Sequence, residues 1–171
     1  MSGTVAREDA NGVCTLTLER PDKRNALTTA MFVALDGHLA ALETQGDTVG
    51  CVVLRGAGAS FCAGADIAAM QRSQTAPDPR FKSRVIERLS ALPQPVVAAV
   101  QGHCFTGGLE LALAADFILA APDAHFADTH GRWGLVAGWG MSQRLPRRIG
   151  VAQAKRMMFT AAAAAAIREE M

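Results

Sequence analysis

An apolar run followed by paired glycines and one isolated carboxylate, within residues 96–116, constrains the fold of this chain most strongly. Val96–Val100 has the length and β-branching of a buried strand. Leu109–Ala115 consists mainly of good helix formers. Gly107 and Gly108 therefore lie at a junction between a strand and a helix, where free N–H groups gather at the helix start. Strands and helices alternate elsewhere in the chain as well, which predicts an α/β fold.

This junction has a chemical and a structural interpretation. Its backbone amides could hold an oxyanion, and Glu110 would lie one turn away among apolar residues that favour its protonated form. Paired glycines before a helix also occur simply as a tight turn with close packing, and a glutamate in the first turn can complement the helix dipole. The stretch by itself leaves both interpretations open.

The rest of the pattern predicts one core domain over residues 1–159 and a tail at 160–171. Thr28 is placed to cap a helix, and the six alanines Ala161–Ala166 favour a further helix. Strands are predicted at Val13–Glu19, Val49–Leu54, Phe117–Ala121 and Ala124–Ala127, and helices at Thr29–Glu43, Ile67–Gln71, Phe81–Leu92, Ser142–Ile149 and Ala152–Phe159.

Composition argues against several classes of function. The net charge is +1 with no basic runs, so no nucleic-acid partner is expected. The four cysteines form no CxxC pair and show no zinc-ligand spacing, which predicts reduced thiols, no metal and a cytoplasmic location. A polar N-terminus and the lack of a long uncharged apolar run predict neither a signal peptide nor a membrane span. Gly56-x-Gly58 lacks the third glycine of a dinucleotide fingerprint.

Four motifs, taken in order, resemble the enoyl-CoA hydratase/isomerase (crotonase) superfamily. They are Glu19–Pro21 with Arg24–Leu27, Ser60–Ile67, Pro95–Gly102 continuing through Gly107–Ala112, and Gly138–Gly140 with Gln143–Leu145. The resemblance implies a spiral of strand–strand–helix repeats that assembles as a homotrimer or as a hexamer of two trimers. Members of the family are longer than this chain, so the resemblance also implies that the C-terminal helical region is truncated or missing here.

The resemblance further implies an enzyme acting on an acyl-CoA through an enolate, as in fatty-acid β-oxidation. Coenzyme A is then part of the substrate, and no prosthetic group is expected. The amides of Ala65 and Gly107 would hold the enolate oxygen. The residues implied for coenzyme A and substrate binding are Arg24, Ala26, Ala63, Ala65, Asp66, Ile67, Ala68 and Gly107.

Family hydratases use two glutamates, and here only one of them is kept. Glu110 matches the first, whereas His130 stands where the second belongs. A histidine can also hold water and exchange a proton near neutral pH. A glutamate at position 130 would restore the family's pair. Asp128 is a possible substitute, but on a strand it would face the other side.

Three functions remain open from the sequence. The leading one is an enoyl-CoA hydratase with Glu110 and His130 as catalytic residues. The others are an enoyl-CoA double-bond isomerase and an acyl-CoA binding protein with little turnover. A nucleophile pair of Cys104 and His103 is a poorer candidate, because adjacent residues in an extended chain point to opposite faces.

Overall fold

The computed structural model of the protein describes residues 3–71 and 78–165, which form helices around two β-sheets. The strands are β1 Thr4–Ala10, β2 Val13–Glu19, β3 Cys51–Gly56, β4 Val96–Val100, β5 His103–Phe105, β6 Phe117–Ala120, β7 His125–Ala127 and β8 Ala164–Ala165. The helices are α1 Thr29–Leu42, α2 Ile67–Gln71, α3 Phe81–Leu89, α4 Gly107–Leu113, α5 Met141–Ile149 and α6 Val151–Thr160. The predicted α/β class is confirmed.

The larger sheet has the strand order β1-β2-β3-β4-β6 and the smaller one the order β5-β7-β8. In the larger sheet β1 and β2 are antiparallel, and every later pairing is parallel. Parallel neighbours require crossover connections, which α1 supplies between β2 and β3, and α2 with α3 between β3 and β4. Alternate residues of β2 and β4 are buried, so one face of the sheet lies against these helices.

The second half of the chain repeats one unit of strand, strand and helix. β4, β5 and α4 form one such unit, and β6, β7 and α5 form the next. In each unit the first strand joins the larger sheet and the second joins the smaller one. The repeat predicted from the resemblance is therefore present in the structure, and it brings the start of α4 beside the segment that follows β7.

Strand β1 is absent from the sequence prediction. Only Val5 of its seven residues is buried, so the apolar alternation that identifies a half-buried strand is missing. The turn after it, Asn11-Gly12, has φ values of 52° and 78°, which suit a two-residue hairpin connection. The dipeptide thus signalled a hairpin of which only the second strand, β2, was recognised.

The alanine run is not helical over the part that the structure describes. α6 ends at Thr160, Ala161 adopts a left-handed φ of 52°, and β8 pairs with β7. The intrinsic helix preference of alanine is weak enough for strand pairing to override it. Ala166 and the remainder of the predicted 160–171 tail lie outside the described residues. Among the helices that are described, none has the length and apolarity needed to cross a bilayer.

Candidate active site

The paired glycines form the first turn of α4, whereas the sequence analysis placed them at the junction just before the helix. A Cβ on Gly107 would lie 2.5 Å from Cζ3 of Trp139, and a Cβ on Gly108 would lie 2.4 Å from the carbonyl oxygen of Cys62. The preceding residue, Thr106, has a φ of 54°, which is strained for a residue with a side chain. Both glycines are therefore required because neighbouring chain approaches the helix start closely.

A second segment, around Ala65, lies against this helix start. A Cβ on Gly64 would be 3.3 Å from the nitrogen of Gly107, so the two segments are neighbours. Leu27 N donates to Gly64 O at 2.8 Å, and Asp66 N donates to Leu27 O at 2.9 Å. Within the described residues, neither the Ala65 nor the Gly107 N–H has a backbone acceptor. These amides have the chemistry that an oxyanion requires.

The Glu110 side chain lies one turn into α4 and is only 1% exposed. Its Oε1 atom accepts hydrogen bonds from Trp139 N at 2.6 Å and from Met141 N at 3.2 Å. Burial raises the pKa of the Glu110 carboxyl above its ordinary value, although the two amides oppose that change. This raised pKa agrees with the protonated carboxyl group that the sequence analysis expected for Glu110. Oε1 is thus fixed by the backbone amides at the start of α5, whereas Oε2 does not accept from either amide.

Oε2 of Glu110 faces His130, whose Nε2 atom lies 3.8 Å away. The His130 ring is mostly buried, with 12% of its side chain exposed. Burial by itself would lower the pKa of His130. The hydrogen bond to Asp128 and the negative charges of Asp128 and Glu110 outweigh it, so the pKa of His130 is raised. The structure therefore brings together the two residues that the sequence analysis named as catalytic candidates.

The expected orientation of Asp128 is wrong. Its Oδ1 atom accepts from His130 Nδ1 at 2.6 Å and from His130 N at 3.1 Å. The alternation argument fails because β7 ends at Ala127, and the chain then turns into a short 3₁₀ helix, His130–Trp133. Asp128 is also 98% buried, since its exposed fraction is 2%. It therefore belongs to the same cluster as Glu110 and His130.

The residues expected to bind coenzyme A lie mainly on two hydrogen-bonded loops and on the start of α2, whereas Gly107 lies at the start of α4. Arg24 is exposed and has a φ of 50°, and its carbonyl oxygen accepts from Ala63 N at 2.9 Å. Ala26 O accepts from Arg20 Nη1 at 3.1 Å. The exposed Arg24 guanidinium is available to a phosphate group.

Asp66 has partners of its own within this region. Its Oδ2 atom pairs with Arg20 Nη1 at 2.5 Å, and its Oδ1 accepts from Ala69 N at 2.9 Å in the first turn of α2. The pKa of Asp66 is lowered, first by the Ala69 amide and then by Arg20. The Asp66 carboxylate thus orders the loop, while Ile67 and Ala68 begin the helix that follows it.

Asn25 is a site residue that the sequence analysis quoted in a motif but did not assign. It is fully buried and has a φ of 55°. Its Oδ1 accepts from Arg20 N at 2.8 Å, and its Nδ2 donates to Ala57 O at 2.9 Å and Ser60 O at 2.8 Å. The combination of a turn-prone Asn after Arg24 in a polar turn was the available signal. Asn25 joins the two loops around Arg24 and Ala63.

The alternative nucleophile pair is not formed. Cys104 is completely buried, and burial raises the pKa of its thiol well above the ordinary value. His103 points away from it, with Nδ1 at 3.1 Å from the Ser60 hydroxyl. All four cysteines are unpaired in the structure. This result agrees with the argument from opposite faces of an extended segment.

Comparison with known proteins gives a consistent assignment. Residues 8–168 match the family model described as enoyl-CoA hydratase/isomerase. A probable peroxisomal enoyl-CoA hydratase 1 from Arabidopsis thaliana is 34% identical over 161 residues, which cover 90% of this chain and 58% of that protein. The 1,2-epoxyphenylacetyl-CoA isomerase of Escherichia coli strain K12 is 38% identical over 150 residues, covering 84% of this chain and 57% of the isomerase.

A solved structure shows the same fold. The enoyl-CoA hydratase from Mycobacterium tuberculosis H37Rv superposes with a TM-score of 0.82 at 40% identity, covering 95% of this chain and 68% of that one. The chain spans less than two thirds of the length of the two curated relatives described above. The match to the family model therefore includes the candidate site, whereas the similarity extends over only part of those relatives.

Proposed function

The chain belongs to the enoyl-CoA hydratase/isomerase family, and from that premise we propose that it adds water to a 2-enoyl-CoA to form a 3-hydroxyacyl-CoA. The observation that carries the proposal is the 3.8 Å separation between Glu110 Oε2 and His130 Nε2. A water molecule about 2.8 Å from each atom fits that separation, because ordinary hydrogen bonds to both can be made at once. Two groups that exchange protons can therefore share one water.

The proposed substrate is held at its thioester group and at its coenzyme A moiety. The amides of Ala65 and Gly107 hold the thioester oxygen, and the loops with Ala26, Ala63, Ala65, Asp66, Ile67 and Ala68 cradle coenzyme A, with Arg24 at a phosphate. The support is the proximity of Gly64 to Gly107 N and the two unused amides. Negative charge that develops on the oxygen is stabilised by these preorganised donors. Coenzyme A is part of the substrate, and the reaction needs no prosthetic group.

The proton transfers balance between the two side chains. Neutral His130 accepts a proton from water as the water oxygen bonds to C3, and the electron pair moves onto the thioester oxygen. Protonated Glu110 then donates its proton to C2, which collapses the enolate. A proton passes from His130 to Glu110 to restore the starting state. Burial of Glu110 and the raised pKa of His130 are compatible with one proton shared by the pair.

A double-bond isomerase is the second candidate. It is supported by the description of the matching family, which names enoyl-CoA isomerases beside the hydratases. Isomerisation needs one group to move a proton between two carbons, which Glu110 could do without the water held by His130. An acyl-CoA binding protein with little turnover is the third. These three functions differ in what the full-length protein does with crotonyl-CoA and with a 3-enoyl-CoA.

We expect the full-length protein to hydrate crotonyl-CoA, and His130→Gln to lower kcat for hydration by about 10²-fold through loss of a positioned base. The loss of enoyl absorbance measures the rate. His38→Gln is the matched control, since His38 lies on α1 and bonds to Val5 O at 2.8 Å. Conversion of a 3-enoyl-CoA without hydration would instead identify an isomerase, and binding without either reaction would identify the binding protein.

Assembly and location extend the proposal. We infer a homotrimer or a hexamer of two trimers from the family resemblance, and light scattering of the full-length protein measures this directly. A monomer would contradict it. A cytoplasmic location is inferred from the four unpaired cysteines.

A further inference from the structure

Asp128 makes two contacts with His130, which stands in the place of the family's second glutamate. Its Oδ1 atom accepts from the ring Nδ1 and from the backbone nitrogen of His130. A carboxylate only accepts hydrogen bonds, so Nδ1 must carry the proton of a neutral ring. The unprotonated nitrogen is then Nε2, which is the atom facing Glu110. The contact therefore selects the tautomer in which His130 can accept a proton on the side of Glu110.

The backbone around Asp128 is anchored to the start of α4. Thr106 N donates to Ala127 O at 2.8 Å, and the hydroxyls of Thr106 and Thr129 are 2.6 Å apart. Thr129 N also donates to the Thr106 hydroxyl at 3.3 Å. Thr106 is the residue that precedes the paired glycines. The segment carrying Asp128 and His130 is thus held in a fixed position relative to Gly107 and Glu110.

The negative charge of Asp128 gives the contact with His130 a second role. A neutral histidine lacks the negative charge that a glutamate brings to the family's second position. Asp128 with a neutral His130 has a net charge of −1, which equals the charge of that glutamate. Both Asp128 and His130 are mostly or fully shielded from solvent, so this charge is poorly screened. The pair is a charge equivalent of the missing carboxylate.

We propose that Asp128 is a positioning residue, which fixes the tautomer and orientation of His130 and supplies the negative charge that the family's second glutamate would carry. The role rests on the proposed function, because it concerns the base of the same reaction. It differs from a merely structural role in that it controls the protonation of His130. Among the described residues, Asp128 on the same loop and Glu110 on α4 are the charged groups that act on the ring.

The first test is Asp128→Asn in the full-length protein. Carboxylates that orient metal-bound histidines are typically worth about 10–100-fold in activity, and we expect kcat to fall here by a similar factor while KM changes little. Asp128 raises the pKa of His130, and His130 acts as a base only when it is unprotonated, so the loss of Asp128 should move the acidic limb of the kcat profile to lower pH. Asp47→Asn, an exposed position, is the matched control. An unchanged kcat with an unchanged acidic limb would overturn the proposal.

The second test adds a carboxylate at position 130 and then removes the one at position 128. His130→Glu alone places a new carboxylate against Asp128 and Glu110, and like charges at short range disfavour ionisation. We therefore expect this variant to be less active than the wild type, although it restores the family's residue. Asp128→Asn combined with His130→Glu should be more active than His130→Glu alone by about tenfold, the effect of one pKa unit. A double variant no better than His130→Glu contradicts the charge equivalence.

A third measurement does not depend on turnover, and it observes His130 in the wild-type protein. In the isotope-labelled wild-type protein, ring nitrogen shifts of His130, assigned with His130→Gln, should show a proton on Nδ1 at alkaline pH. A proton on Nε2 would overturn the proposal. If the wild type fails to hydrate crotonyl-CoA, the proposed function fails, yet this spectrum still decides the role of Asp128.

Discussion

Glu110→Gln is expected to lower the rate of hydration by about 10²–10⁴-fold, the usual contribution of a positioned acid or base. The glutamine oxygen can still accept from Trp139 N and Met141 N, so the loop before α5 should stay in place. The NH2 group of glutamine that replaces Oε2 cannot exchange a proton with C2 of the substrate or with His130. Binding of coenzyme A should change little, because Arg24 and its loops are untouched. Steady-state kinetics and calorimetry with a CoA thioester measure the two effects.

Glu87→Gln is the control for this change, since Glu87 is an exposed glutamate on α3. It alters the net charge by the same amount without touching the cluster. A Glu110→Gln protein with the turnover of the wild type would refute the mechanism. A protein that lost both turnover and affinity would instead show that Glu110 acts mainly by holding the site together.

Asn25→Ala is expected to destabilise the folded protein by about 3–5 kcal/mol. The side chain is fully buried, and its loss removes the hydrogen bonds that it makes with Arg20 N, Ala57 O and Ser60 O. Each buried polar group left unsatisfied costs about 1–3 kcal/mol. Alanine at a φ of 55° adds about 1 kcal/mol of backbone strain. Denaturant unfolding of the full-length protein measures the sum.

Asn11→Ala separates the two contributions to that cost. Asn11 has nearly the same left-handed φ, 52°, but lies exposed in the hairpin turn. Its replacement should cost only the backbone strain of about 1 kcal/mol. Equal losses for the two variants would show that the three hydrogen bonds of Asn25 contribute little to stability.

Much of the candidate site could be predicted from the sequence because its elements are local. The glycine pair, the helix start and the position of Glu110 follow from a short stretch of chain. The approach of His130 to Glu110 came from the family resemblance, since no local pattern connects residues twenty apart. The amides that hold Glu110 come from residues 139 and 141, and no property of those side chains signals a backbone donor.

Errors in the prediction have specific physical causes. Strand alternation was extended to Asp128, although β7 ends one residue earlier at Ala127. Strand β5 spans only His103–Phe105, too short for periodicity to identify. The glycines were placed before the helix, whereas α4 begins at Gly107. Element boundaries and pairing partners depend on tertiary contacts that propensities do not contain.

The order of the larger sheet bears on how the protein can be built during synthesis. Each strand pairs with a strand delivered earlier by the ribosome, so the sheet can extend at a single edge as the chain emerges. The cluster of Glu110, His130 and Asp128 is completed later in synthesis. Glu110 obtains its backbone partners only when residues 139 and 141 have been added. A nascent chain can therefore complete its framework before the carboxyl group that would react is held in its working position.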